Sequence, residues 1–219
     1  MRPRRCAFSL VELLVVIGII AIMIGLLMPV LHRVRQQAVI IQCQSNLRQV
    51  HQALQMYLND SHGALFWRGQ DIDTEGMDWY VYGGRESGNT NIQSGLFNNF
   101  HPRPLNKYVG NRLDIFRCPV DDQPLPWTDG VTQYEWVGNS YNFNAVGMPT
   151  KPQPRLGGLS GIKVTQVRSS STTIVFHDAG MVYQFAWHGR NKGNFCMIDG
   201  HVEFIEMPPQ NGPYSWQDE

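Results

Sequence analysis

The order of apolar and polar positions divides the chain into three stretches. Residues 13–31 are 19 positions without a charge or a strongly polar side chain. At about 1.5 Å of rise per residue they make roughly 28 Å of helix, close to the hydrocarbon thickness of a bilayer. A helix packed in a soluble core keeps a polar face, and this one is apolar all round. From residue 32 to 57 the pattern turns periodic: Val39, Cys43, Leu47, Val50, Leu54 and Tyr57 recur every three or four positions. Arg35, Gln42, Arg48 and Gln52 lie between them. No Pro or Gly falls between Val30 and His62. One helix therefore continues from the apolar run, with Pro29 as a kink, until Asn59-Asp60-Ser61-His62-Gly63 ends it.

Beyond that point Gly, Pro, Asn and Asp interrupt the chain every few residues. Residues 79–82 and 131–137 read as strands, because aromatic and β-branched side chains suit a pleated surface. Residues 116–122 read as a turn around Cys118, and residues 151–158 as a surface loop. Residues 172–176, 181–187, 193–198 and 201–207 read as further strands. Asp199-Gly200 between the last two is a two-residue hairpin signal, a type I′ turn with positive φ at both positions. Residues 208–219 read as a loosely attached tail. The expected fold class is α+β: a long N-terminal helix, membrane-spanning in its first half, packed by its second half on a loop-rich antiparallel sheet.

Ahead of the apolar run stand Arg4-Arg5-Cys6-Ala7 and then Phe8-Ser9-Leu10-Val11-Glu12-Leu13; Glu12 is the one charge between Arg5 and Arg33. A carboxylate in a membrane helix is costly and is usually kept for a partner. This stretch resembles the cleavage and methylation motif of type IV prepilins and type II secretion pseudopilins. The resemblance implies that a prepilin peptidase cuts between Ala7 and Phe8 and that Phe8 is then N-methylated. It also implies that Glu12 pairs with the N-terminal amine of a neighbouring subunit during filament assembly. That family prefers Gly before the cut, so Ala7 is a departure. A secretory signal is the plainer alternative, but residues 25–32 offer no Ala-x-Ala-like site. The expected organisation is a leader at 1–7, a transmembrane and assembly helix at 8–31, its amphipathic continuation at 32–60 and a β-rich head at 61–219.

A second resemblance runs through the rest of the chain. Cys43-Gln44-Ser45-Asn46-Leu47-Arg48-Gln49, Phe116-Arg117-Cys118-Pro119, Ser140-Tyr141-Asn142-Phe143-Asn144, and finally His188 with Asp199-Gly200 occur in that order. They are similar to a prepilin-like group abundant in planctomycetes, whose C-terminal signature is a His, nine residues, then Asp-Gly. Here ten residues intervene.

Charge and cysteine content narrow the function. Loss of residues 1–7 removes three of the 18 basic residues and no acid, leaving fifteen against 18 acidic, a net of −3. No basic stripe suggests a nucleic-acid partner. Cys6 leaves with the leader; Cys43, Cys118 and Cys196 remain. Cys43 on the apolar stripe and Cys118 in its turn are the candidate disulfide, a staple of helix to head worth about 2–4 kcal/mol. The plainer alternative makes Cys43 a small buried apolar residue. No C-x-x-C pair provides a zinc signature. His188 and Asp199, with Asp178 and His201, could ligate calcium or a glycan, yet turn chemistry already accounts for Asp-Gly. No metal or cofactor is assigned.

No nucleophile–base set and no phosphate-cradling loop is present, so an enzyme is not expected. The expected function is that of a pilin-like (pseudopilin) subunit of a type II secretion or type IV pilus-like filament. It would be single-pass in the inner membrane, N-terminus cytoplasmic and head periplasmic or extracellular. Its partners would be a prepilin peptidase, other pilin subunits, an inner-membrane assembly platform and membrane lipid. The rival reading is a membrane-anchored glycan-binding module.

Overall fold

The computed structural model describes residues 10–66, 80, 82–85, 103–110, 112–124, 128, 130–145, 158–182, 187–189, 191–208 and 214–216. The chain divides into two compact units, Met1–Val39 and Ile40–Glu219. The first unit carries the front of α1, a 51-residue helix spanning Leu10–Asp60 with Pro29 inside it. Its large apolar side chains between residues 10 and 31 are each 45–77 % exposed. Apolar groups on every face of a helix call for surroundings other than water. Among the described residues this is the one helix long and apolar enough to cross a membrane.

The second unit begins with the rear of α1. Here Cys43, Leu47, Val50 and Leu54 are fully buried, with Ala53 and Leu58 beside them, while Tyr57 at the stripe's end is half-buried. The helix stops where its polar cluster begins: Ser61 N–H donates to the Tyr57 carbonyl at 2.8 Å, and Gly63 N–H to Leu58 at 2.8 Å. His62, at φ 54°, makes the left-handed exit.

Among the described residues the sheet has four strands: β1 Tyr141–Phe143, β2 Ile174–Asp178, β3 Lys192–Met197 and β4 Val202–Glu206. Their order is β1-β2-β3-β4 and every pairing is antiparallel. All five residues of β2 are buried, as befits a strand covered on both faces. Phe66, Tyr82, Phe143 and Phe176 form an aromatic core with ring centroids 4.8 Å (Tyr82–Phe176), 5.0 Å (Phe66–Phe143) and 5.6 Å (Phe66–Tyr82) apart. The fold is thus α+β, a long apolar N-terminal helix followed by a four-stranded antiparallel sheet.

Five local expectations are corrected. Residues 131–137 are not a strand; a one-and-a-half-turn helix occupies Gln133–Val137. Thr132 Oγ1 accepts from Glu135 N–H at 3.2 Å, and the Glu135 carboxylate accepts from Thr132 N–H at 3.0 Å, a complete capping box. Gly138 closes the helix at φ 78° with its N–H on the Tyr134 carbonyl. Residues 181–187 do not form a strand at their start, since Ala179–Val182 is a 3₁₀ turn; residues 183–186 lie outside the described residues. The β3–β4 connection is not a type I′ turn: Gly200 N–H returns to Met197 and only Gly200, at φ 93°, has positive φ. It is a turn followed by a left-handed glycine, with Met197 N–H bonded to His201.

The tail is not loose at Tyr214, Ser215 and Trp216. Ile174 N–H donates to Ser215 and Ser215 N–H to Thr172, while Trp216 is buried and its indole N–H reaches the Pro208 carbonyl at 3.3 Å. At residues 79–82, Tyr80 is helical and Tyr82 lies in a turn, against the strand expected there; residues 79 and 81 lie outside the described set, as do 151–157 and the leader with its cut site.

Candidate functional site

Two places bear chemistry. The first is the front of α1, where Glu12 lies exposed in the first turn, ahead of the apolar side chains. Ala7 and Phe8 lie outside the described residues.

The second place is buried in the second unit and is assembled from four elements. Cys43 comes from the apolar stripe of α1. Cys118 follows the 3₁₀ turn Leu113–Phe116, and its carbonyl accepts from Asp121 N–H at 3.0 Å, closing the expected turn. Asn46 on α1 donates to the Arg117 carbonyl at 3.0 Å and ties that turn to the helix. Asp178 ends β2, where Asn194 of β3 donates to its Oδ2 through both backbone N–H (2.7 Å) and side chain (3.0 Å). His188 precedes β3, with its ring edge-on to Phe204 at 5.8 Å.

These four side chains meet. Cys43 Sγ and Cys118 Sγ are 3.0 Å apart, so the structure brings the candidate disulfide pair together; both are unbonded thiols here. His188 Nε2 lies 3.4 Å from Cys118 Sγ and 3.4 Å from Asp178 Oδ2. Both cysteines are fully buried, and the His188 and Asp178 side chains are 3 % and 1 % exposed. The contact with Cys118, helped by His188, lowers the Cys43 thiol to about 7 against the opposing effect of burial. Burial pushes Cys118 up and, against the pull of His188 and Asn194, raises Asp178. Burial alone would depress His188, but Cys43 and Asp178 outweigh it and hold the imidazole above its usual range.

The signature residues separate. Asp199 Oδ1 accepts from His201 N–H at 3.1 Å and from its Nδ1 at 2.7 Å within the β3–β4 turn. Asp178, the partner of His188, is bonded to Asn194 near the other end of β3. His188 and Asp199 therefore serve different sites. Gly200 has a steric role: a Cβ there would lie 2.6 Å from the His51 ring, whose Nε2 donates to the Ile198 carbonyl at 2.8 Å.

Comparison with known proteins bears on the front of the chain. Residues 2–28 match the family model described as the prokaryotic N-terminal methylation motif. No curated protein and no solved structure matches the chain. The motif supports a type IV pilin- or pseudopilin-like protein, with processing by a prepilin peptidase and assembly with other pilin subunits as its implication. One N-terminal apolar helix with this motif suits a single-pass, membrane-anchored protein.

Proposed function

We propose that this chain is a structural subunit of a type II secretion or type IV pilus-like filament, of the planctomycete-type prepilin group. The observation that carries the reading is the methylation motif at residues 2–28 running directly into a helix apolar on every face. A prepilin peptidase cuts between Ala7 and Phe8, Phe8 is N-methylated, and the helix waits in the inner membrane. The leader stays cytoplasmic and the head is periplasmic or extracellular. On assembly, driven by an inner-membrane platform, the helix exchanges lipid for the helices of neighbouring subunits. Glu12 then pairs with the methylated amine of an adjacent Phe8 and fixes the axial register, because either charge left unpaired in an apolar bundle would be strongly destabilising. The role is structural and not catalytic.

Mass spectrometry of the protein recovered from cells tests the first step. The expected mature chain begins at methylated Phe8; a chain retaining residues 1–7, or starting beyond the apolar run, overturns the reading. Glu12→Ala is expected to leave processing and head stability intact while removing the subunit from sheared filaments. Undiminished incorporation of that variant would leave Glu12 without its assigned role.

A further inference from the structure

We propose that Cys43, Cys118 and His188 bind a zinc ion, with the Asp178 carboxylate beside the imidazole, and so join α1 to the turn at Cys118, the loop at His188 and the end of β2. The donor set is the first reason. Two sulfurs and an imidazole nitrogen lie mutually within 4.8 Å, and the Asp178 carboxylate is 3.4 Å from that nitrogen. Around a zinc ion with sulfur at about 2.3 Å and nitrogen or oxygen at about 2.0–2.2 Å, neighbouring donors stand roughly 3.3–3.8 Å apart. The 3.4 Å from Cys118 Sγ to His188 Nε2 matches such an edge, while the two sulfurs, 3.0 Å apart, would have to open by several tenths of an ångström to take the ion between them.

The second reason is what a disulfide would leave unexplained. A Cys43–Cys118 bond needs neither an imidazole nor a carboxylate beside it. Here both are present, held out of water at 3 % and 1 % exposure. Asp178 Oδ1 is buried without a hydrogen-bond partner among the described residues, while Oδ2 is occupied by Asn194. A buried carboxylate with an oxygen left without a donor is costly, and a cation bound next to it offsets that cost. Two thiolates, a neutral imidazole and a carboxylate carry three negative charges, of which a divalent ion neutralises two. Zinc suits mixed sulfur, nitrogen and oxygen donors in four-coordinate geometry, whereas calcium would require six or more oxygens. The three donors are buried and come from separate elements of the fold, so the ion's role is structural.

The test uses the full chain in detergent, purified under reducing conditions and then loaded with Zn²⁺ or Co²⁺ and desalted. The expected result is about one zinc per chain. The cobalt form is expected to show thiolate-to-cobalt charge transfer and the strong visible bands of a tetrahedral site. Cys118→Ser, His188→Gln and Asp178→Asn are each expected to weaken binding at least roughly tenfold. Cys196→Ser, at a buried thiol outside the cluster, is expected to bind as the parent does. A second measurement needs no variant: Cys43 and Cys118 should resist a thiol reagent when zinc-loaded and react after chelation. Absence of retained metal in the reduced protein overturns the proposal, as does an octahedral cobalt spectrum. So does parental affinity in Asp178→Asn, or a Cys43–Cys118 cross-linked peptide in a non-reducing digest of protein taken directly from cells.

Discussion

Ile20 and Leu54 are aliphatic residues on the same helix, yet Ile20 is 48 % exposed and Leu54 is fully buried. Around Ile20 the apolar character runs over every face; around Leu54 it is a stripe, with Gln52, Gln55 and Met56 outside it. The rear of α1 is shaped by a fixed protein neighbour, to which it offers one side. The front is shaped for a surrounding that is apolar in all directions, whether lipid or other helices. Continuity of backbone therefore says little about solvent; the angular distribution of side chains decides it.

The largest expected effect comes from truncating the stripe. Leu54→Ala should lower the unfolding free energy of the detergent-solubilised protein by about 2–5 kcal/mol, because the cavity adds to the lost transfer energy. Ile20→Ala should leave the same denaturant midpoint within about 0.5 kcal/mol. Equal effects at the two positions would erase the distinction between front and rear.

Glycines sharpen the same contrast. At Gly200 a methyl group would meet the His51 ring at 2.6 Å in a backbone with φ 93°, so Gly200→Ala should destabilise by about 1–3 kcal/mol. At Gly18 nothing lies within 4 Å of the added carbon, and Gly18→Ala should be neutral or stabilising by up to about 1 kcal/mol. Urea unfolding of the two variants side by side measures the difference.

The smallest effect is in pH. Burial holds His51 below its ordinary value of 6.5, against opposing pulls from the Ile198 carbonyl and the Asp199 carboxylate. The unfolded chain then binds the proton more readily than the folded one. Stability is full above pH 6.5 and declines as the pH falls below it. Thermal melts between pH 8 and 5 should show the decline, and His51→Gln should make it shallower without abolishing it, because buried His177, pushed down to about 4, contributes in the same direction.

How much of this was legible in the sequence follows from the range of each signal. The stripe at Cys43, Leu47, Val50 and Leu54 was readable because helical periodicity is local and repeated. Helix Gln133–Val137 was misread although its signal was present, as Thr132-x-x-Glu135 followed by Gly138. The aromatic weight of Tyr134 and Trp136 suggested a pleat. The buried carboxylate of Asp121, which accepts from Gln133 N–H at 3.0 Å and Tyr134 N–H at 2.7 Å, adds a tertiary cap that no local pattern reveals. The Cys43–Cys118–His188–Asp178 cluster was legible only in two separate halves, a candidate cysteine pair and a candidate ligand set that joined His188 and Asp178 to Asp199 and His201. Its members are separated by 75 and 70 residues along the chain, and no spacing rule spans such distances. The tail was judged by its prolines, while Trp216 supplied the apolar area that docks it.

The hydrogen bond from His51 to Ile198 joins residues 147 positions apart. During synthesis at about 5–20 residues per second, roughly 7–30 s separate the appearance of these two residues from the ribosome. The front of α1 emerges earlier still, so both halves of the helix are made well before the strands that complete the second unit.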